Sequence, residues 1–340
     1  MHIYTPRNVL ITGGAGFIGC HFVRYLLGSD TRVRIVNLDV LTYAGSLDNL
    51  KELPDPDRHT VVAGDICDQT LVEHLLREHA IDTIVHFAAE SHVDRSITGP
   101  AAFIQTNVVG TFTLLDAARV FWLHEKAWDA GTCRFHHVST DEVYGTLGLH
   151  DPPFCETTPY TPNSPYAASK AASDHLVRAY HKTYGLPTAT THCSNNYGPY
   201  QHDEKFIPTV IRSCLQGKPI PVYGDGSNMR DWLYVEDHCA AIDVVLRHGR
   251  VGDAYDIGGY SNWKNLDIVY VICQVLAELT GEPEEQFSRL IRFVEDRPGH
   301  DWRYAIDATK IQRELGWHPT ETFATGIRKT VEWYLTKYTQ

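Results

Sequence analysis

The sequence predicts an α/β fold, in which a doubly wound parallel β-sheet carries helices on both faces and is followed by a smaller, mixed lobe. In the first half of the chain, short β-branched or apolar runs alternate with stretches of helical periodicity. A glycine loop directly follows the first of these runs, and beyond about residue 195 the pattern becomes irregular and rich in turns. The predicted strands cover residues 9–12, 33–38, 60–62, 83–87, 135–139 and 188–191, and the longest predicted helices cover residues 100–121 and 165–184.

The loop between the first strand and the first helix is a candidate dinucleotide site. Residues 12–19 read TGGAGFIG, with glycines where the chain must turn tightly, approach a pyrophosphate and pack a helix on a strand. Phosphate groups would then meet the N-terminus of the helix. Asp39 ends the second strand at the spacing of an acid that binds the adenosine ribose hydroxyls, and its charge would repel a 2′-phosphate. We therefore predict a Rossmann-type domain that binds NAD rather than NADP, with Asp65 on the adenine side.

The second part of the chain is predicted to form a substrate-binding lobe. Residues 206–216 and 266–280 show short helical patterns, and residues 223–228 (YGDGSN) are one of several turn-rich stretches. No repeat or flexible linker separates the two parts. We expect residues 1–195 to form the NAD-binding domain with the catalytic residues, and residues 196–340 to form most of a second lobe that is interleaved with it.

The composition favours a globular protein without nucleic-acid or membrane partners. The 340-residue chain has a formal net charge of −12 and so lacks the positive field that attracts nucleic acids. No apolar run approaches the roughly 20 residues of a membrane span, and residues 1–7 lack the apolar centre of a secretory signal. The eight cysteines are scattered without a Cys-x-x-Cys pair, which argues against a disulfide framework or a zinc site. We expect a cytoplasmic protein that holds no metal.

A tyrosine and a lysine four residues apart supply a candidate base. Tyr166 and Lys170 lie one turn apart in a predicted helix, so their side chains share a face. Because a nearby cation lowers the pKa of a phenol, we expect Tyr166 to accept a hydroxyl proton near neutral pH. The pair follows a glycine loop and five strands, an order that resembles the extended short-chain dehydrogenase/reductases acting on nucleotide sugars.

Two adjacent acids follow a predicted strand at the edge where ligands bind in open α/β sheets. Asp141 and Glu142 stand within residues 139–145, which read STDEVYG. They either cap a helix or supply an acid and a base to one reaction. In a hexose oxidised at C4 the C5 proton becomes acidic, so one carboxylate can remove it while the other protonates the departing C6 hydroxyl.

Five segments narrow the chemistry further: residues 87–94 (FAAESHVD), 140–145 (TDEVYG), 194–199 (SNNYGP), 230–237 (RDWLYVED) and 296–301 (DRPGHD). With these segments the chain resembles the dTDP-glucose 4,6-dehydratases, from about residue 8 to residue 335. This resemblance implies conversion of dTDP-α-D-glucose to dTDP-4-keto-6-deoxy-α-D-glucose and water, by NAD-mediated oxidation at C4, elimination across C5–C6 and reduction at C6. Nucleotide-sugar epimerases and decarboxylases share the fold and the Tyr-x-x-x-Lys pair but typically lack the adjacent acids.

The resemblance also implies a role for each matching residue. Tyr166 is the base for oxidation at C4, supported by Thr140 and Lys170, while Asp141 is the acid at the C6 hydroxyl and Glu142 the base at C5. The residues expected around the substrate are Ser91, Thr140, Asn195, Lys205, Pro221, Tyr223, Arg230, Asn265, Arg297 and His300. Those expected around NAD are Gly13, Gly16, Phe17, Ile18, Gly19, Asp39, Thr42, Asp65, Ile66, Phe87, Ala88, Ala89, Ser91, Thr106, Tyr166, Lys170 and Asn196.

Three alternatives stay open at this point. The chain is a 4,6-dehydratase for UDP-glucose or another nucleotide sugar, an epimerase that kept the acids by chance, or a non-catalytic NAD(H)-binding regulator on the same fold. The last is disfavoured because a regulator does not need the five residues Thr140, Asp141, Glu142, Tyr166 and Lys170.

The two long predicted helices match those that form a dimer bundle in the family, so we expect a homodimer. Their apolar residues serve either that interface or only the core: Ala102, Phe103, Val109, Phe112, Leu115, Ala171, Leu176 and Val177.

Overall fold

Seven parallel strands form the central sheet of the structure, a computed structural model that describes residues 3–296 and 299–339. The strands in chain order are β1 (Asn8–Thr12), β2 (Arg34–Asp39), β3 (His59–Ala63), β4 (Thr83–His86), β5 (Arg134–Thr140), β6 (Thr188–Cys193), β7 (Asn195–Tyr197), β8 (Ile220–Tyr223), β9 (Met229–Tyr234), β10 (Ala254–Ile257), β11 (Asn262–Lys264) and β12 (Ile291–Val294). The central sheet has the order β3-β2-β1-β4-β5-β6-β10, and all its neighbours pair in parallel. The order reverses between β1 and β4, so the crevice that binds ligands in doubly wound folds lies at their C-terminal ends. The predicted fold class is confirmed.

Helices cover the sheet and fill the second lobe. They are α1 (Phe17–Ser29), α2 (Gln69–Glu78), α3 (Val93–Thr98), α4 (Pro100–Phe103), α5 (Thr111–Ala118), α6 (Pro165–Tyr184), α7 (Phe206–Gln216), α8 (Val235–His248), α9 (Asn265–Thr280), α10 (Glu284–Ser288), α11 (Thr309–Leu315) and α12 (Phe323–Thr339). Two π-helical segments flank α5. Ile104–Gly110 joins α4 to α5, and Arg119–Glu125 extends α5, so residues 100–125 form one long helical stretch. Short 3₁₀ helices stand at Leu47–Leu50, Pro56–Arg58 and Asp141–Tyr144.

The sequence of helix α6 contains a start signal at its N-terminus and a stop signal at its C-terminus. The Ser164 hydroxyl accepts a hydrogen bond from the Ala167 N–H at 3.0 Å, and Pro165 occupies the first helical position. At the other end Gly185 has a φ of 72°, the left-handed conformation that closes many helices. These ends define the helix that carries Tyr166 and Lys170.

The second lobe is built around a small three-stranded sheet, in which β9 pairs parallel with β7 and antiparallel with β11, and around the parallel pair β8 and β12. Helices α7, α9 and α12 pack their buried apolar residues together in this lobe. The chain returns to the first lobe, because β10 completes the central sheet and Ile242 and Leu246 of α8 pack with Val9 and Phe22. The division at residue 195 stays a prediction.

None of the helices within the described residues is long and apolar enough to cross a membrane. The eight cysteines are all free, and six of them are buried; only Cys67 and Cys155 are partly accessible.

Candidate active site

A cavity of about 420 Å³ opens at the C-terminal edge of the central sheet. All the residues predicted to contact NAD and all five predicted catalytic residues line it, together with Ser91, Asn195 and Lys205 from the predicted substrate contacts. Further lining residues were not predicted: they include Glu90, Ser139, Cys193, Gln201 and His202. Glu90 could have been predicted, because it lies within the segment FAAESHVD that carries the resemblance. Gln201 and His202 could not, because only the fold of the loop after β7 brings them to the cavity.

The glycine loop has the close backbone approach that its sequence predicts. Gly13 has a φ of 72°, and a Cβ atom there would lie 2.7 Å from the Ala88 backbone nitrogen. A Cβ atom on Gly19 would lie 2.3 Å from the Gly13 carbonyl oxygen. Gly16 precedes α1 and supplies no side-chain cap, so the first N–H groups of that helix are left to bind an anion such as a pyrophosphate.

Asp39 is held in place at the end of β2. Its Oδ2 accepts a hydrogen bond from the Ala15 N–H at 2.9 Å, and its Oδ1 accepts one from the Leu41 N–H at 2.8 Å. A carboxylate fixed in the cavity wall suits the two ribose hydroxyls of NAD and repels the additional phosphate of NADP. The glycine cradle and Asp39 therefore fit NAD.

We expect Gly13→Ala to purify without nucleotide, because its methyl group would overlap the Ala88 backbone and disturb the cradle. Gly185→Ala is the matched control: this glycine also has a φ of 72°, but a Cβ atom there has no neighbour within 4 Å. It should lose only about 1 kcal/mol of stability through the left-handed backbone and should retain its nucleotide. The measurement is the nucleotide released on denaturation, and equal nucleotide contents in the two variants would contradict the assignment of the loop.

The pKa of Tyr166 is shifted in the direction opposite to that predicted. Tyr166 is 9% exposed and Lys170 is 4% exposed, and the Lys170 Nζ donates a hydrogen bond to the Val138 carbonyl at 2.9 Å. Burial, followed by the charge of Glu142, raises the pKa of the Tyr166 phenol well above its usual value, although a hydrogen bond with Thr140 acts the other way. The prediction of a lowered pKa for Tyr166 was wrong in the absence of bound cofactor, because burial of the phenol and the charge of Glu142 outweigh the groups that favour the phenolate.

The two acids follow β5 in the first turn of the 3₁₀ helix Asp141–Tyr144. Thr140, and neither acid, caps this helix: its Oγ1 accepts a hydrogen bond from the Glu142 N–H at 3.2 Å. Asp141 is 2% exposed, and within the described part of the chain its Oδ2 has no hydrogen-bond partner. Burial, then the charges of Glu142 and Asp231, raise the pKa of Asp141 well above its usual value. The arrangement places a carboxyl group whose pKa is raised next to a second acid that lines the same cavity.

Asp141→Asn should stabilise the folded protein, increasingly so as the pH rises. The pKa of Asp141 is raised on folding, so above the unfolded value of about 4 the unfolded carboxyl ionises while the folded one favours its protonated form, and the proton uptake that folding requires costs more free energy as the pH rises. The amide removes that cost. Melting temperatures measured between about pH 5 and about pH 9 should diverge in favour of the variant, whereas Asp48→Asn, at a side chain that is 78% exposed, should change little. Parallel curves for wild type and Asp141→Asn would contradict a raised pKa.

Five of the predicted substrate residues lie in the second lobe and do not line this cavity: Pro221, Tyr223, Arg230, Asn265 and His300. The rings of Tyr223 and His300 meet edge to face at 6.0 Å. Arg297 lies outside the described residues. The substrate roles of all six stay predictions.

Arg230 connects this group to the acids. Its buried guanidinium donates hydrogen bonds to the carbonyls of Met229, Asp301 and Trp302 and lies over the ring of Tyr304. These bonds use only some of its five N–H donors. The same cation counteracts the rise in the pKa of Asp141, which places it within electrostatic reach of that acid.

Comparison with known proteins identifies the family. The family model described as GDP-mannose 4,6 dehydratase matches residues 10–330. A dTDP-glucose 4,6-dehydratase of Xanthomonas campestris pv. campestris is 58% identical over 334 residues, which cover 97% of this chain and 93% of that protein. The crystal structure of the Streptomyces venezuelae dTDP-glucose 4,6-dehydratase, which contains NAD, superimposes with a TM-score of 0.87 at 47% identity and 98% coverage of both chains. The Bacillus anthracis dTDP-glucose 4,6-dehydratase in complex with NAD does so with a TM-score of 0.85 at 46% identity, again covering 98% of both chains.

These matches span nearly the whole chain, and they agree with a cavity that joins a dinucleotide cradle to a Tyr-Lys pair and two acids. The chain therefore belongs to the nucleotide-sugar 4,6-dehydratases and, within them, to the dTDP-glucose 4,6-dehydratase family.

Proposed function

We propose that the chain converts dTDP-α-D-glucose to dTDP-4-keto-6-deoxy-α-D-glucose and water, using one bound NAD that is regenerated in each cycle. The observation that carries the proposal is the single cavity in which the glycine cradle, Tyr166 and the Asp141–Glu142 pair meet. An epimerase needs the first two, whereas removal of water also needs an acid and a base beyond the Tyr-Lys pair. A binding protein without activity needs only the cradle.

Tyr166 takes the proton of the C4 hydroxyl, with its phenol oriented by Thr140 and supported by the ammonium of Lys170. NAD held by the glycine cradle and Asp39 would supply the hydride acceptor for C4 and, once reduced, the hydride donor for C6, and the positive charge of its oxidised form would favour the phenolate of Tyr166. Lys170 is anchored through the Val138 carbonyl, so its charge is held within the cavity wall. This arrangement accounts for oxidation without any contribution from the two acids.

Asp141 and Glu142 carry out the elimination. Burial and its acidic neighbours raise the pKa of Asp141 well above its usual value and so favour the protonated form, which can donate its proton to the departing C6 hydroxyl. Glu142, which also lines the cavity, removes the C5 proton that the C4 ketone has made acidic. The negative charge of Glu142 helps to keep Asp141 protonated, so the two roles support each other.

The test is incubation of the purified protein with dTDP-glucose and, separately, with UDP-glucose, followed by mass spectrometry. The expected result is a product lighter by one water, formed much faster from dTDP-glucose. An isomer of unchanged mass would indicate an epimerase. Retained NAD with neither product would indicate a regulator, and preference for UDP-glucose would contradict the nucleotide assigned to the substrate.

We also propose that the chain acts as a homodimer in the cytoplasm. The free cysteines support the location, and an exposed apolar face on the long helical stretch supports the dimer. Along that stretch Ile104 is 49% exposed, Val109 38% and Phe112 44%, while Phe103 and Leu115 belong to the core. A second copy that placed the same face against this one would remove these side chains from water.

Phe112→Asp should therefore halve the molar mass measured by light scattering, because a charge in an apolar interface is costly to desolvate. Phe293→Asp is the control, since Phe293 on β12 is 60% exposed but lies away from the helical face. A wild-type monomer, or a Phe112→Asp variant that keeps the wild-type mass, would contradict the proposed dimer.

A further inference from the structure

A buried carboxylate, Asp174, lies on the same helix as the Tyr-Lys pair. Asp174 follows Lys170 by one turn of α6 and is 5% exposed. Its Oδ2 accepts a hydrogen bond from the Ser139 hydroxyl at 2.9 Å and lies 3.2 Å from His192 Nε2. Its Oδ1 lies 3.1 Å from His137 Nε2. A carboxylate surrounded in this way by β5 and β6 keeps its charge, and these partners hold the pKa of Asp174 far below its usual value against the effect of burial.

His192 links this carboxylate to the segment that carries the acids. Its Nδ1 lies 3.0 Å from Asp256 Oδ1, and the Tyr144 hydroxyl donates to the same oxygen at 2.9 Å. Burial alone lowers the pKa of His192, but hydrogen bonds to Asp174 and Asp256 raise it to about 10. His192 is therefore a cation between two buried carboxylates, and its Nε2 also lies 2.7 Å from the Tyr160 hydroxyl. Tyr144 connects the network to the helix of Asp141 and Glu142.

Four titratable groups besides Tyr166 lie within electrostatic reach of the Lys170 ammonium: Asp174 from α6, His137 from β5, His86 from β4 and Cys193 from β6. Burial lowers the pKa of His137 to about 4 and that of His86 well below its usual value, so both rings are neutral at pH 7. Burial likewise raises the pKa of the Cys193 thiol, which stays protonated. Among these groups Asp174 is the one that is charged, and it opposes the loss of the Lys170 proton that burial favours.

We propose that Asp174 is a positioning residue for the C4 oxidation: it keeps Lys170 protonated, and His192 keeps Asp174 in place. This inference rests on the proposed function. Tyr166 needs the Lys170 cation to release its proton, so the enzyme loses activity above the pH at which Lys170 becomes neutral. Removal of the negative charge beside Lys170 must lower that pH, and removal of the positive charge of His192 must raise it.

The experiment measures the pH profile of kcat for the NAD-loaded enzyme in three variants: Asp174→Asn, His192→Gln and the control His136→Gln. His136 neighbours His137 on β5, is fully buried and bonds Thr191, but contacts none of the charged groups of the network. In Asp174→Asn the basic limb should move to lower pH by about one unit or more, the size expected on losing a nearby opposite charge. The kinetic isotope effect with C4-deuterated substrate should rise as oxidation becomes slower. In His192→Gln the basic limb should move to higher pH, and in His136→Gln it should not move.

A basic limb and an isotope effect that are unchanged in Asp174→Asn would overturn the proposal, as would shifts of the same sign in Asp174→Asn and His192→Gln. If Asp174→Asn does not fold, the His192→Gln profile decides alone, and an unshifted basic limb there overturns the proposal. Wild-type enzyme that does not dehydrate dTDP-glucose would instead contradict the proposed function, so the two failures are distinguishable.

Discussion

Tyr166→Phe should leave the protein folded and loaded with NAD but unable to begin the reaction. The variant removes one buried oxygen and keeps the ring that packs edge to face against Phe103 at 6.3 Å. Loss of a general base typically reduces the rate by about 10²- to 10⁴-fold, and here oxidation at C4 precedes every later step. We expect kcat to fall by this factor, with neither reduced cofactor nor solvent exchange at C5 when substrate is added.

Tyr180→Phe is the matched control for this prediction. Tyr180 lies on the same helix, is 8% exposed and directs its hydroxyl to Asp116 at 3.3 Å, away from the cavity. Its replacement should change stability slightly and leave kcat unchanged. If Tyr166→Phe forms reduced cofactor as fast as wild type, another group accepts the C4 proton and the assignment fails.

The pH dependence of the same step provides a further check on the corrected pKa. Because burial and Glu142 raise the pKa of Tyr166, the phenolate is scarce at neutral pH unless Lys170 and the bound oxidised cofactor stabilise it. The rate of C4 oxidation should therefore still rise with pH above neutrality before the basic limb is reached.

Much of the fold was predictable because its signals are local. Glycines mark the places where the backbone approaches another chain segment, as Gly13 approaches Ala88, and the alternation of strands and helices marks the parallel sheet. Strand β10 was not predicted, since it is four residues long and pairs with β6 from a distant part of the sequence. Nothing local to residues 254–257 marks that pairing.

The sequence identified which residues form the site, but it could not predict the pKa values of their side chains. Tyr166, Lys170, Asp141 and Glu142 are found from their spacing and from the resemblance, and they line one cavity. Their pKa values depend on burial and on charges that arrive from other elements, such as Asp231 from β9 beside Asp141. The cation at His192 arises for the same reason, since β10 brings Asp256 to one side of the ring and α6 brings Asp174 to the other.

Asp141→Asn and Glu142→Gln should both oxidise the substrate at C4 and then stop. Tyr166 and Lys170 remain in both variants, so reduced cofactor should accumulate on mixing with dTDP-glucose. In Glu142→Gln oxidation should be no slower than in wild type, because removal of the Glu142 charge lowers the pKa of Tyr166. The 4-keto-6-deoxy product should fall by about 10²- to 10⁴-fold in each variant, as expected when a general acid or a general base is lost.

The two variants should differ in deuterium oxide, which separates the base from the acid. With Asp141→Asn, Glu142 can still remove and return the C5 proton, so recovered hexose should carry solvent deuterium at C5. With Glu142→Gln the base is absent, so little deuterium should enter at C5. Asp141 remains in this variant, but its raised pKa makes it a poor acceptor for the C5 proton. The deuterium content at C5 is measured by mass spectrometry and by proton NMR of the hexose recovered after incubation in deuterium oxide. The opposite pattern would mean that the roles of the two acids are swapped. Normal turnover in both variants would mean that the acids only form the first turn of the helix Asp141–Tyr144, and the dehydratase mechanism proposed for this chain would fail.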